Sequence, residues 1–409
     1  MTGGLYEALV ELKLMVPHEE VRPGVIRPEM VPIITYPYEW SFSQLKDAAL
    51  TTLRIQKVAL AHGMILRDAT AYNIQFMEGR PVLIDTLSFD TYAPGEPWVA
   101  YRQFCQHFLA PLALMSRVSP DLLQLLRVHL DGIPLPLAAR LLPSRAKFNL
   151  GLATHVSLHA RYQKQHESTG KKAAASMTKT SLLGLVDNLE RTVQGLRLPK
   201  SHTEWGDYYD NTNYSDDSMA EKSRIIEEFM GEVKPERVVD LGANDGPFSR
   251  VAAKSGALVI SADIDPMAVE ANYRRVKAKG ELNVMPLLVD LMNPSADAGW
   301  DNSERMSFSR RARADAAMAL ALIHHLAISG NVPIKMVAEY FSSLAPYLVI
   351  EFVPKSDSKV QRLLATREDI FPDYTEQGFE KAFGGFYSVV RKRKVKGSAR
   401  TLYLLQVKG

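Results

Sequence analysis

The sequence predicts an α/β protein in two parts. A mainly helical part covers residues 1–166, an open, mostly parallel sheet flanked by helices covers residues 201–409, and a linker with a helix at 167–200 joins them. Three observations carry this reading. First, an apolar, β-branched run ending in Asp240 and Leu241 passes through the turn GANDG (242–246) into a helical pattern at 248–254, then into a second apolar run that ends at Asp263. Apolar residues on both faces mark a buried parallel strand, so this stretch is one βαβ unit. Second, further strand-like runs follow at 283–289, 314–321 and 347–353, with helical stretches between them, as in a doubly wound sheet. Third, apolar residues before residue 167 recur at helical spacing in short pieces separated by prolines.

The length of 409 residues suits two domains, and 46% hydrophobic with 23% charged residues is an ordinary globular balance. A formal net charge of +3 is too small to argue for a nucleic-acid partner. One cysteine, Cys105, excludes an internal disulfide and a cysteine-based zinc site, and fits a cytoplasmic protein. The first residues, MTGGLYEALVEL, lack a basic stretch followed by an apolar core, and no uninterrupted apolar run approaches about 18 residues, so neither a secretion signal nor a membrane span is expected.

In chain order, residues 1–40 carry Pro17, Pro23, Pro28, Pro32 and Pro37, which favours irregular or edge-strand structure over helix. Leu45, Ala49, Leu53, Val58 and Leu60 predict a helix at 41–62, ended by Gly63. The next stretch sets Asp68 five positions before Asn73. A short strand pair at 73–76 and 81–84, turning at Glu78 and Gly79, then delivers Asp85. Residues 98–166 read as apolar helices separated by prolines. His155 and His159 stand there at i, i+4 spacing, which suits two helix-surface histidines better than a metal site, because no H-E-x-x-H pattern accompanies them. The run ESTGKKAAASMTKTS (167–181) is small, polar and basic, as a linker is, and 181–198 returns to an amphipathic helix.

Residues 203–222 place Trp205, Tyr209 and Tyr214 among acids and asparagines, just before a helix at 220–230. Within the sheet region, Gly242 and Gly246 permit a sharp turn and close backbone approach, and Asn244 tolerates left-handed φ. Asp263 stands about twenty residues after the loop, where a carboxylate can accept the hydroxyl protons of a ribose. A third strand ends at Asp290, and residues 292–313 read as an exposed loop. The fourth strand runs into Leu322-Ile323-His324-His325-Leu326, the fifth carries Glu351 at its carboxyl end, and 386–391 with 400–407 form a closing antiparallel hairpin. The basic run RKRKVKGSAR (391–400) suits a solvated hairpin, with a nucleic-acid patch as the weaker alternative, since no aromatic residue interleaves with it.

At Asp240 and Gly242 to Gly246 the chain resembles the class I S-adenosylmethionine-dependent methyltransferases, and the resemblance extends over about 203–409. It implies a Rossmann-like, seven-stranded sheet and S-adenosyl-L-methionine as cofactor. It further implies cofactor contacts from Asp240, Gly242, Ala243, Asn244, Gly246, Asp263, Ile264, Asp290 and Leu291, with Asp290 meeting the adenine amino group. Trp205, Tyr209 and Tyr214 would line a cap over cofactor and substrate. His324 and His325 would stand at the mouth of the pocket and take a proton from the acceptor, beside Glu351 as a substrate-side carboxylate. A dinucleotide-binding dehydrogenase is the rival reading, but the third glycine of its G-x-G-x-x-G spacing falls on Pro247.

Residues 41–115 resemble the catalytic segment of protein kinases and aminoglycoside-type phosphotransferases. There Asp68 would accept a proton while Asn73 and Asp85 would ligate magnesium. Gly3, Gly4 and Gly24 are not spaced as a phosphate loop and Lys13 has no evident partner, so a scaffold in which these residues cap turns is the alternative. The segments IDTLSF (84–89) and YPYEW (36–40) are similar to those of a bacterial methyltransferase family associated with nodulation proteins. The expected function is methyl transfer to an oxygen or nitrogen nucleophile of a small molecule or glycan. A protein or RNA methyltransferase with the N-terminal part as docking module is one alternative, and a nucleotide-dependent phosphotransferase is another. No membrane partner is expected, and oligomeric state is not legible.

Overall fold

The computed structural model describes residues 3–158, 177–199 and 216–409. Trp205, Tyr209, Tyr214 and His159 lie outside the described residues. The chain divides into two compact units, 1–201 and 202–409.

In the first unit a short helix, Leu5–Glu11, precedes the hairpin β1 (His18–Arg22) and β2 (Val25–Pro28). The helix escapes the proline argument because it ends before Pro17, while the hairpin agrees with it. The helix Phe42–Ala61 begins where Ser41 caps it, its hydroxyl accepting from the Gln44 amide, and Gly63 follows at φ 72°. β3 (Met64–Leu66) pairs with β6 (Phe89–Thr91). β4 (Ile74–Met77) and β5 (Arg80–Leu83) form a hairpin turned by Glu78 (φ 50°) and Gly79 (φ 72°), the left-handed pair that such a tight turn needs.

The helix Lys179–Gly195 packs on Phe42–Ala61 within this unit. Lys57 meets Asp187 at 2.6 Å and also pairs with Glu190, and the Lys46 ammonium donates to the carbonyls of Gln194 and Leu196 at 2.9 Å each. His155 links the same helix to Tyr101, its Nδ1 2.7 Å from the Tyr101 hydroxyl and its Nε2 2.7 Å from the Asn188 side-chain Oδ1.

The second unit contains a seven-stranded, mostly parallel sheet. Its strands are β7 (Arg237–Leu241), β8 (Leu258–Asp263), β9 (Val284–Leu288), β10 (Ala316–Ala319), β11 (Tyr347–Phe352), β12 (Tyr387–Lys394) and β13 (Thr401–Val407). The order is β12-β13-β11-β10-β7-β8-β9. β7 to β11 are parallel, and the hairpin β12–β13 joins antiparallel to β11. The arrangement is an open, doubly wound, Rossmann-like sheet. Helix Asp216–Val233 covers one face by burying Ile225, Ile226, Phe229 and Met230 against Val238, Val259, Met318 and Val349. Each such side chain contributes roughly 1.5–3 kcal/mol.

One expectation needs correction. Residues 292–313 are not simply an exposed loop, because the short helix Phe308–Arg311 buries both of its end residues. The Arg311 guanidinium donates to the Met306 carbonyl at 2.9 Å and to the Ser295 hydroxyl at 3.3 Å, which satisfies polar groups a loop would otherwise leave to water. The closing hairpin is solvated along its basic run, as the sequence suggests, and its charges find partners. Arg391 pairs with Glu232, Lys392 with Glu376 and Glu380, and Arg393 with Glu228.

Candidate functional site

A cleft of about 440 Å³ opens at the carboxyl ends of β7, β8, β9 and β10. The strand order reverses between β7 and β10, and ligands of open α/β sheets bind at that switch point. The loop after β7 builds the floor. Gly242 at φ 73° and Asn244 at φ 52° turn the chain back over the strand ends, with the amides of Gly242 and Ala243 both donating to the Ala262 carbonyl. Asp263 clamps this loop: its carboxylate accepts the Asn244 amide at 2.7 Å and the Asp265 amide at 2.8 Å. Burial pushes the Asp263 carboxyl up to about 6 in spite of those two amides.

Gly242, Ala243, Asn244, Asp263, Ile264, Asp290 and Leu291 all line the cleft, as does Asp240. A Cβ on Gly242 would stand 3.1 Å from Leu322, so the glycine keeps the cleft floor open. Gly246 does not line it. A Cβ there would be 2.6 Å from the Asn272 side chain and 2.8 Å from that of Arg250, so this glycine serves packing against the helix Pro266–Lys279.

The Asp240 carboxylate accepts from the Ser249 hydroxyl at 2.6 Å and is raised to about 7, chiefly by burial. Lys222, which also lines the cleft, lies over the Phe248 ring at 4.4 Å and donates to Glu351 at 2.7 Å. Glu351 therefore does not stand as the substrate-side carboxylate the sequence suggests. It is fully buried and held by Lys222, with Arg400 3.9 Å away. Sequence reasoning missed Lys222. The available signal was a lysine three, four and seven positions before Ile225, Ile226 and Phe229, on the apolar stripe of its helix.

The two histidines after β10 divide. His325 lines the cleft, whereas His324 is 1% exposed and, among the described residues, its Nδ1 finds no hydrogen-bond partner. Their rings lie 4.1 Å apart. Burial holds both neutral, His324 well below the usual imidazole range and His325 down to about 4, with Arg400 and Lys359 adding to the shift of His325.

No protein-family model matches the chain. Over 389 residues it is 40% identical to the nodulation protein NoeA of Rhizobium meliloti (strain 1021), an alignment covering 93% of this chain and 82% of that protein. The chain belongs to the NoeA family. Among solved structures, the N-methyltransferase NodS of Bradyrhizobium japonicum WM9 is 11% identical, with a TM-score of 0.36 over 48% of this chain and 99% of NodS. Magnesium protoporphyrin IX methyltransferase (ChlM) of Synechocystis PCC 6803 is 16% identical, with a TM-score of 0.35 over 49% of this chain and 91% of that one.

In the first unit of this NoeA-family chain, Asn73 approaches Asp85 at 3.5 Å. The Asp85 carboxylate also accepts from the Leu87 amide at 3.0 Å and from the Ser88 hydroxyl, and that of Asp68 accepts the Thr70 amide at 2.8 Å. These are turn-capping bonds within the local loop. Among the described residues no group of three or more His, Cys, Asp or Glu is placed to hold a metal ion, and no helix is long and apolar enough to cross a membrane.

Proposed function

We propose that the chain is an S-adenosyl-L-methionine-dependent methyltransferase acting on an oxygen or nitrogen nucleophile of a small-molecule or glycan acceptor. The observation that carries the reading is the Asp263 carboxylate at the tip of β8, set beside a glycine loop at the sheet's switch point. The residues present fit the cofactor: an open cleft of ligand size, a floor kept free of a side chain at Gly242, and carboxylates at the ends of three successive strands. S-adenosyl-L-methionine supplies a methyl group on cationic sulfur. Asp263 would hold the ribose hydroxyls and Asp290 the adenine amino group. The loop at Gly242, Ala243 and Asn244 would follow the amino-acid tail, with the Asp240 carboxyl facing it from the end of β7. His325, neutral and at the cleft wall, is the group on this chain suited to orient the acceptor and receive its proton. Trp205, Tyr209 and Tyr214 complete the proposal as the cap, and His324 supports His325 from behind.

Titration calorimetry of the full chain with S-adenosylmethionine, S-adenosylhomocysteine, NAD and Mg-ATP tests this. The first two bind and Asp263→Ala abolishes binding; binding of NAD or ATP alone overturns the reading. A phosphotransferase centred on Asp68, Asn73 and Asp85 is the second reading, favoured only by the approach of Asn73 to Asp85; Mg-ATP binding lost in Asp85→Ala would support it, and no binding would sink it. The N-terminal unit then counts as a docking or access module in the first case and as a catalytic one in the second.

A further inference from the structure

The cleft is electrically lopsided. Every carboxylate lining it comes from the ends of β7, β8 and β9: Asp240, Asp263 and Asp290. The opposite wall, built after β10 and β11, carries His325 among Leu322, Leu326 and Leu363, with no acidic lining residue among the described ones. The two acids behind that wall are already engaged. Glu351 is held by Lys222, and the Asp357 carboxylate accepts from the Arg400 guanidinium at 2.8 and 3.2 Å. Arg400 is held by Asp357 in turn, and Lys359 stands on the same helix, Ser358–Leu364, that supplies Leu363; both hold the His325 imidazole further below its usual range than burial alone does. Burial lowers the Lys359 ammonium, Arg362 and Arg400 lower it further, and Asp357 pulls it back.

A cationic cofactor belongs on the acidic side of such a cleft. A protonated amine brought to the other wall would meet apolar side chains and like charge, with no carboxylate to pair with. An oxygen nucleophile meets the reverse: a hydroxyl can donate to the neutral imidazole, and a carboxylate lies in a favourable field.

Resting on the methyltransferase reading above, we propose that the acceptor is an oxygen nucleophile, an alcohol, phenol or carboxylate borne on an apolar body, and that the His325–Leu363 wall excludes ammonium groups. In the transfer the acceptor oxygen donates a lone pair to the methyl carbon, and the carbon–sulfur bond breaks with its electron pair left on sulfur. An alcohol or phenol then loses its proton to His325, which passes it to water. A carboxylate has no proton to lose. The methylated oxonium is far more acidic than an imidazolium, so a weakly basic histidine suffices.

The test uses the full chain saturated with S-adenosylhomocysteine and three matched probes at neutral pH, octan-1-ol, octanoate and octylamine, titrated by calorimetry. Octanol and octanoate should each bind at least about tenfold more tightly than octylamine. Lys359→Glu, which leaves the cleft lining intact, should narrow or reverse the gap between octanoate and octylamine, and Leu363→Asp should favour the amine. Octylamine binding as well as or better than both oxygen probes overturns the inference, and so does failure of all three to bind the loaded chain. If S-adenosylhomocysteine itself does not bind, the methyltransferase reading fails and the inference falls with it, an outcome distinct from the other two.

Discussion

The Lys222 ammonium and the Glu351 carboxylate meet at 2.7 Å with their side chains 1% and 0% exposed. Burial lowers the Lys222 ammonium from its usual range, and Glu351 pulls it back. Removing one partner leaves the other as a buried, uncompensated charge, which costs about 3–5 kcal/mol. Glu351→Leu alone should therefore destabilise the fold by that order, and Lys222→Met with Glu351→Leu should recover most of it. Urea unfolding of the two single variants and the double variant measures this. Full additivity of the two losses would show that the pair is not coupled.

Asp240 makes stability depend on pH. Its carboxyl is raised to about 7 from 3.8, so between those values the folded chain holds a proton that the unfolded chain has released. That contribution is complete below 3.8 and is lost as pH rises through about 7. The depressed histidines act in the opposite sense, losing stability as pH falls below 6.5. Comparison with Asp240→Asn cancels their effect. Between pH 8.5 and 6.5 the stability difference should shift by roughly 1 kcal/mol in favour of the unsubstituted protein, read from denaturant midpoints at the two pH values. A constant difference would mean that Asp240 does not titrate there.

The two loop glycines should respond differently to alanine. Both have φ near 75°, worth about 1–2 kcal/mol of strain for any L side chain. At Gly242 the added methyl meets only the side chain of Leu322 at 3.1 Å, whereas at Gly246 it meets Asn272 and Arg250 at 2.6 and 2.8 Å. Gly246→Ala should lower the melting temperature more than Gly242→Ala. Gly242→Ala should instead weaken S-adenosylhomocysteine binding disproportionately to its effect on folding, as paired thermal shift and calorimetric titration would reveal.

In the first unit, Asp85→Ala deletes acceptors for the Leu87 amide and the Ser88 hydroxyl. The expected cost is about 1–2 kcal/mol, measured by denaturation, with S-adenosylhomocysteine affinity unchanged.

The sheet was legible because a buried parallel strand reads as a continuous apolar run, and the glycine turn between β7 and its helix is distinctive. The strands proposed at 283–289 and 347–353 match β9 and β11 within a residue or so at each end. The site was legible where residues adjacent in sequence line the cleft together, as at 242–244 and 290–291. It was not legible where a partner from a distant segment decides a residue's role. Glu351 has the position of a ligand-facing carboxylate until Lys222, 129 residues earlier, neutralises it. Gly246 resembles a ligand-contacting glycine until Asn272 closes on it. His324 and His325 are chemically alike, and only the backbone turn after β10 decides which one faces the cleft.

The strand β12 lies at one rim of the seven-stranded sheet and bonds only to β13 within it. An open rim of backbone donors and acceptors invites a second chain to add on, the first step toward aggregation. Here the rim bears Arg391, Lys392, Arg393 and Lys394 in succession, and its register slips between Val389 and Arg391. An incoming strand would have to dissolve three ion-paired positions and match an irregular edge. The basic run thus opposes edge-to-edge pairing at this rim of the sheet.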